Sequence, residues 1–269
     1  MIVKEADQKK RQRPVRRPIK SCIVTVDLLG RGIATETSAA IAGIAQKFAS
    51  VGDFVTLLWA PRPEDVPDKA EIKRLREYYF EKFLINLELL PDSTDLLPGI
   101  GTWEKQSLTV YHYIRQQTFD AVYFVLEGGI GFYTLLGRET GVFQDTPRLY
   151  VVAQSPIAWT SEADKLFLQN GQQVSSAHME QYCTEVCDGL ICSSQEVVTW
   201  MKKKNWALPK SVEVILPVRP HEWRIPGKGR SQIVSRRMVS ELIFIAGPDY
   251  HKGLTLFCDA LDEIGRAHV

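Results

Sequence analysis

The chain has 269 residues, 45% of them hydrophobic, enough to bury a large core across one large domain or a domain and a half. Its apolar runs fall short of the ~18 residues a membrane-spanning helix needs, the basic N-terminus lacks the apolar stretch of a secretory signal, and five cysteines are an odd number for a disulfide framework. These features set aside a membrane-embedded or disulfide-stapled protein and lead to the expectation of a cytoplasmic one.

The net charge of +1 hides an asymmetry. Met1 to Lys20 carries eight Lys or Arg against Glu5 and Asp7, a net of +6, and the remainder carries −5. Residues 1–18 are expected to form a basic tail, disordered over Met1 to Arg17 because little in it can be buried. Such a tail is either a solvated leader or an element drawn to anionic surfaces, which would place the protein peripherally at the inner face of a membrane. No aromatic residues interleave with the charges, so nucleic acid is not expected as a partner.

From residue 19 the pattern alternates between strand and helix. "SCIVTVDLL" reads as a buried strand, and "TSAAIAGIAQKFASVG" as a helix capped by Thr35 and closed at Gly52. "DFVTLLWAP", "KAEIKRLREYYFEKF" and "LINLELL" continue as strand, helix and apolar segment. "EKQSLTVYHYIRQQ" is helical, "FDAVYFVLE" a strand, "GFYTLLGRETG" a short helix and "RLYVVAQS" a strand. "SSAHMEQYCTEVC", "DGLICSS", "QEVVTWMKKKNW" and "SVEVILP" complete the series. This alternation predicts an α/β fold with a doubly wound, Rossmann-like parallel sheet over residues 19–218. Residues 219–240 lack periodicity and read as a hinge. Residues 241–263 restart the pattern, with a strand at 241–246, as the first βα unit of a second Rossmann-like domain.

In an open parallel sheet ligands collect at the carboxyl ends of strands. The first such turn, "LLGRGIATETS", offers Gly30, Arg31, Gly32 and Thr35 before a helix N-terminus, either a phosphate-facing loop or a tight turn without ligand. A dinucleotide fingerprint would need a third glycine where Thr35 stands and an acid after the second strand, and neither is there. The turn "LEGGIGF" supplies Glu127, Gly128 and Gly129, and "AQSPIAW" supplies Gln154 and Ser155, with Trp159 as a candidate pocket wall or packing residue. His178, Cys183, Cys187 and Cys192 have a spacing that suits a buried helix face better than a metal. No P-loop and no Gly-x-Ser-x-Gly elbow occurs.

The order of these segments resembles the N-terminal domain of GT-B glycosyltransferases, and most of all the retaining group known as family 4 or group 1. "RGIAT" occupies the place of the family's glycine loop. "FDAVYFVLEGGIGFYTLLGRETG" is similar to its acceptor-side stretch, "MEQYCTEVCDGLICSSQEVVTWMKKKNWALPKSVEVILP" to the end of its first domain, and "FIAGPDYHKGLTLFCDAL" to the opening of its second. The resemblance spans about Ile19 to Leu261. It implies transfer of a sugar from a nucleoside-diphosphate donor to a glycan or lipid-linked acceptor in glycan or surface polysaccharide synthesis, with no cofactor and no metal. Gln154 falls where the family has a histidine, and an amide cannot act as a general base. Of the basic pair that would neutralise the leaving diphosphate, Lys252 is present and Pro248 replaces the arginine. The resemblance also leads to the expectation of a fragment, inactive by itself, whose donor domain breaks off. "EIGRAHV" can be encoded by GAG ATC GGA AGA GCA CAC GTC, which reads as a sequencing adapter, so Ile264 to Val269 are expected not to be biological. The alternatives are a non-catalytic glycosyltransferase-like binding module and a GT-B-fold sugar-nucleotide epimerase.

Overall fold

The computed structural model describes residues 16–30, 35–62, 65–91, 99–215, 242–244 and 252–266. Seven strands form one sheet: β1 (Lys20–Thr25), β2 (Phe54–Trp59), β3 (Ile85–Leu89), β4 (Ala121–Val125), β5 (Arg148–Ala153), β6 (Gly189–Cys192) and β7 (Val212–Val214). Between them run α1 (Glu36–Ser50), α2 (Lys69–Phe83), α3 (Thr102–Arg115), α4 (Phe132–Glu139), α5 (Ile157–Ala163), α6 (Gly171–Val186) and α7 (Gln195–Lys203), and α8 (Leu254–Arg266) follows. The strand order is β3-β2-β1-β4-β5-β6-β7 and every pairing is parallel. The fold is therefore the expected α/β, doubly wound, Rossmann-like one, and its order reverses direction between β1 and β4, where the crevice of such a sheet opens.

The central strands are apolar on both faces because helices cover both. In β1, Cys22, Ile23 and Val24 have no exposed surface, and Val24 stands in register with Leu58 of β2 and Phe124 of β4. Helix starts follow local capping chemistry. Thr35 and Ser38 form a reciprocal capping box on α1, Asp68 accepts from the Glu71 N–H on α2, and Ser194 accepts from the Val197 N–H on α7. Leu84 ends α2 in the left-handed region, at φ 57°.

At the amino edge, three aspartates repeat one device. Asp53, Asp120 and Asp188 each stand just before a strand and accept a backbone N–H from the neighbouring strand's start. The donors are Ile19 at 2.9 Å, Lys20 at 2.8 Å and Leu149 at 2.6 Å. A strand's first N–H groups lack ladder partners, and a carboxylate satisfies them with a charge-assisted bond. Arg16 joins Asp53 at 3.1 Å and Arg138 joins Asp188 at 2.9 Å. Of the basic tail, Arg16, Arg17 and Pro18 are thus described, and residues 1–15 lie outside the described set.

Two departures from the sequence reading are local. Helix α5 was not anticipated, because Ser155-Pro156 reads as a turn, whereas Pro156 sits immediately before the first helical residue and its fixed φ suits that entry. Helix α6 begins at Gly171, capped by Asn170, four residues earlier than expected. Of the strand expected at 241–246, Leu242–Phe244 are described outside any strand, with Phe244 packed on Phe257 of α8 at 5.3 Å between ring centroids. The hinge at 219–240 lies outside the described residues, and α8 continues through Ile264 to Arg266. Among the described residues no helix is long and apolar enough to cross a membrane.

Candidate functional site

The carboxyl ends of β1, β4 and β5 carry three turns, each fixed from behind. After β1, the indole N–H of buried Trp59 donates to the Val26 carbonyl at 3.0 Å and the buried Tyr79 hydroxyl donates to Leu29 at 2.8 Å. Gly30 then turns the chain at φ 96°, a conformation in which a side chain would be strained. Arg31 and Gly32 lie outside the described residues. Thr35 caps α1 and its hydroxyl also donates to Asp27 at 2.9 Å, so it is occupied by the fold.

After β4, Glu127–Gly129 form a single 3-10 turn, with Gly128 and Gly129 both at φ 65°. The reason for two glycines is close approach as well as conformation. A methyl group on Gly128 would overlap the ring of Trp103, and one on Gly129 would overlap Met179 and stand 2.8 Å from its backbone carbonyl carbon. The turn is clamped between α3 and α6.

The clamp is completed by a side chain that the sequence reading passed over. Glu180, only 2% exposed, accepts from the Gly128 N–H at 3.0 Å with one oxygen and from the Ile157 N–H at 2.8 Å with the other. One carboxylate thereby joins the β4 turn to the start of α5. Burial, opposed by those two backbone donors and reinforced by the neighbouring Glu127, pushes the Glu180 carboxyl up to about 8. Glu127 is also pushed up, chiefly by burial and then by Asp27, with Arg62 acting in the opposite sense. The available signal was position: Glu180 lies beside Met179 and three residues before Cys183, on the buried face of α6.

After β5, Gln154 reaches across the crevice, and the Thr37 hydroxyl in the first turn of α1 donates to its Oε1 at 2.7 Å. These groups enclose a cavity of about 320 Å³. Trp103 forms its aromatic wall, Glu127, Gly128, Gln154, Ser155 and Glu180 line it, and Thr37, Thr160 and Ser176 add hydroxyls. The structure thus brings Glu127, Gly128, Gln154 and Ser155 together. Gly129 turns away toward α6, Gly30 is on the neighbouring turn, and Lys252, exposed just before α8, is not among the lining residues. Trp159 packs against the core and Trp103 takes the wall position. Pro248 lies outside the described residues.

Cys183, Cys187 and Cys192 are core thiols, all pushed up by burial, Cys187 to about 12 and Cys192 to about 11. Among the described residues no group of three His, Cys, Asp or Glu side chains stands together as a metal site.

No family model and no curated protein matches the chain. Among solved structures it is similar to LpCGTa in complex with UDP, at 12% identity and a TM-score of 0.47, over 75% of this chain and 53% of that one. It is also similar to Glycyrrhiza uralensis UGT73P12 complexed with glycyrrhetinic acid 3-O-monoglucuronide, at 12% identity and a TM-score of 0.44, over 75% and 49%. A third is a UGT transferase from Siraitia grosvenorii in complex with UDP, at 12% identity and a TM-score of 0.42, over 74% and 51%. The chain spans about half the length of these solved structures.

Proposed function

We propose that the chain supplies the acceptor side of a GT-B glycosyltransferase of the retaining, family 4 type, which moves a sugar from a nucleoside-diphosphate donor to a glycan or lipid-linked acceptor. The observation that carries this reading is the cavity at the β1/β4 switch point. It offers an aromatic wall and a dense set of hydroxyl, amide and carboxyl groups, the complement of a polyol that presents both C–H faces and hydrogen-bonding edges. Its volume is at the lower end of small-molecule pockets and suits a single sugar ring. In this reading the Gly30–Gly32 loop faces the donor diphosphate, Lys252 neutralises it, and no cofactor or metal takes part. Glu127 and Glu180 accept from or donate to acceptor hydroxyls according to their protonation. Gln154 positions the acceptor through its bond to Thr37 and moves no proton.

That last point favours a second reading, a non-catalytic saccharide-binding module of the same fold. An amide held by Thr37 occupies the place where the resembled family has a base. Titration of the ¹⁵N-labelled chain with neutral oligosaccharides and with nucleotide sugars tests the shared core of both. Saccharides are expected to shift the amide signals of Gly128, Gln154, Ser155 and Ile157. If no saccharide moves them, both readings fail. Nucleotide sugars that shift the Gly30 and Thr35 amides, which neutral oligosaccharides leave in place, then favour the first over the second.

A further inference from the structure

Helix α5 has a second lined face. Ile157 and Thr160 point into the cavity, whereas Ala158, Ser161 and Glu162 border a separate open groove of about 610 Å³ between α5 and α7. The rim of this groove is apolar and unusually exposed: Phe167 is 90% and Leu166 54% accessible. Scattered exposed apolar residues are ordinary, but a contiguous pair beside two tryptophans is a patch.

The exposure is built into the fold. Helix α5 ends with the Lys165 N–H on the Glu162 carbonyl at 3.0 Å and the Leu166 N–H on Ser161 at 2.8 Å, with Lys165 in the left-handed region at φ 58°. The backbone is thus pinned where it holds Leu166 and Phe167 outward. Behind them, Trp200 packs edge-on against Trp206 at 5.4 Å, and its indole N–H donates to Glu162 at 2.9 Å. Lys204 bonds the same Glu162 oxygen at 2.8 Å, which offsets that carboxylate. The last turn of α7 adds exposed Lys202 and Lys203. Lys165 and Lys204 thus line the groove beside the apolar tip with Glu162 as the carboxylate among them, and Lys202 and Lys203 extend the positive charge along the exposed end of α7.

We propose that this α5–α7 edge docks the protein onto an anionic lipid surface. An outward Phe-Leu pair flanked by lysine ammoniums matches the layered chemistry of a bilayer interface, where apolar side chains enter below the headgroups and ammonium groups meet the phosphates. The surface is distinct from the basic segment at residues 1–18. Because α5 walls both the groove and the cavity, docking would bring the cavity within one helix width of the lipid.

The test uses the full chain and vesicles of phosphatidylcholine with or without phosphatidylglycerol. Wild type is expected to co-sediment with the phosphatidylglycerol vesicles, less so at high salt, where the Debye length shrinks to ~3 Å at 1 M. The double substitution Leu166→Ser, Phe167→Ser removes the inserting pair and is expected to weaken binding on the order of tenfold or more. Lys202→Glu with Lys203→Glu reverses two charges and is expected to weaken it at least as much, on the anionic vesicles only. All four positions are surface ones, so unchanged thermal melts separate lost docking from lost folding. Binding by both variants equal to wild type would overturn the proposal, because the N-terminal segment would then account for it. Absence of vesicle binding by wild type would overturn it too, as would a concentration-dependent dimer that the Leu166, Phe167 variant abolishes, which would assign the face to a second copy.

Discussion

At the amino edge of the sheet, Asp53, Asp120 and Asp188 accept strand-start N–H groups, and two of them add an arginine whose guanidinium reaches the surface. At the carboxyl edge, Glu180 accepts two N–H groups as well, yet it does so inside a cavity, beside a second acid, Glu127. The chemistry of the bonds is the same and the surroundings are opposite. A carboxylate at the amino edge closes the ends of strands, and the one at the carboxyl edge holds apart the turns that frame an opening. Sheets of this kind keep their rigid fastening on one side and their ligand-sized space on the other.

The contrast is sharpest at the 3-10 turn after β4. Gly129→Ala would place a methyl group against the α6 backbone and Met179 at a residue held at φ 65°. Overpacking and backbone strain together are expected to cost about 3–5 kcal/mol, or roughly 10 °C in melting temperature. Calorimetry checks it. A loss under about 1 kcal/mol would mean that the turn shifts freely and that Glu180 does not define its position.

The amino edge should respond less. Asp53 is 9% exposed and holds both the Ile19 N–H and Arg16. Asp53→Ala leaves the half-buried Ile19 N–H without its partner and is expected to cost about 2 kcal/mol, with Asp53→Asn recovering about half, since the amide oxygen still accepts. Urea unfolding of the two variants measures this. Equal losses would show that the charge on Arg16 matters more than the strand start, and would weaken the parallel between the edges.

How legible this was in the sequence follows the same division. Helix α2 was read with its bounds, Lys69 to Phe83, from the helical pattern of "KAEIKRLREYYFEKF", and the structure adds the Asp68 cap that fixes its start. Strands β1, β2 and β4 declared themselves as β-branched and aromatic runs. The start of α6 was not evident, because Gly171 is a poor helix former, Gly171-Gln-Gln carries no apolar periodicity, and only the Asn170 cap marks it. The aspartate device was present in plain sight as "DFV", "DAV" and "DGL" before three strands, but its meaning depends on which strands are neighbours. In the site, Glu127, Gly128, Gln154 and Ser155 were found because they occupy turns. Glu180 was missed because it acts from the middle of a helix, and only tertiary packing turns that helix face toward the cavity.

Glu180→Gln gives the finest test of the comparison, because its effect is expected to be small near the middle of one pH window and of opposite sign at its two ends. Its carboxyl is pushed from an ordinary value of 4.5 up to about 8, so between those limits the folded chain holds a proton that the unfolded chain has released. Stability then falls as pH rises across that window: the contribution is fully present below about 4.5 and lost as pH climbs through about 8. Glutamine cannot titrate, and because its amide nitrogen cannot accept, either the Gly128 or the Ile157 N–H loses its acceptor, so the substitution is expected to cost about 1–3 kcal/mol at the acid end. Because the wild type loses about 1.4 kcal/mol per pH unit across that window and the variant none, the gap is expected to close part-way through it and then reverse, leaving the variant the more stable toward pH 8. Urea unfolding of both proteins at several pH values across the window reads this directly. Parallel profiles would mean that the two backbone donors outweigh burial and keep Glu180 ionised throughout. The cavity would then hold a fixed anion, suited to a cationic or strongly hydrogen-bond-donating ligand, and the likeness between the two edges would extend to their charge.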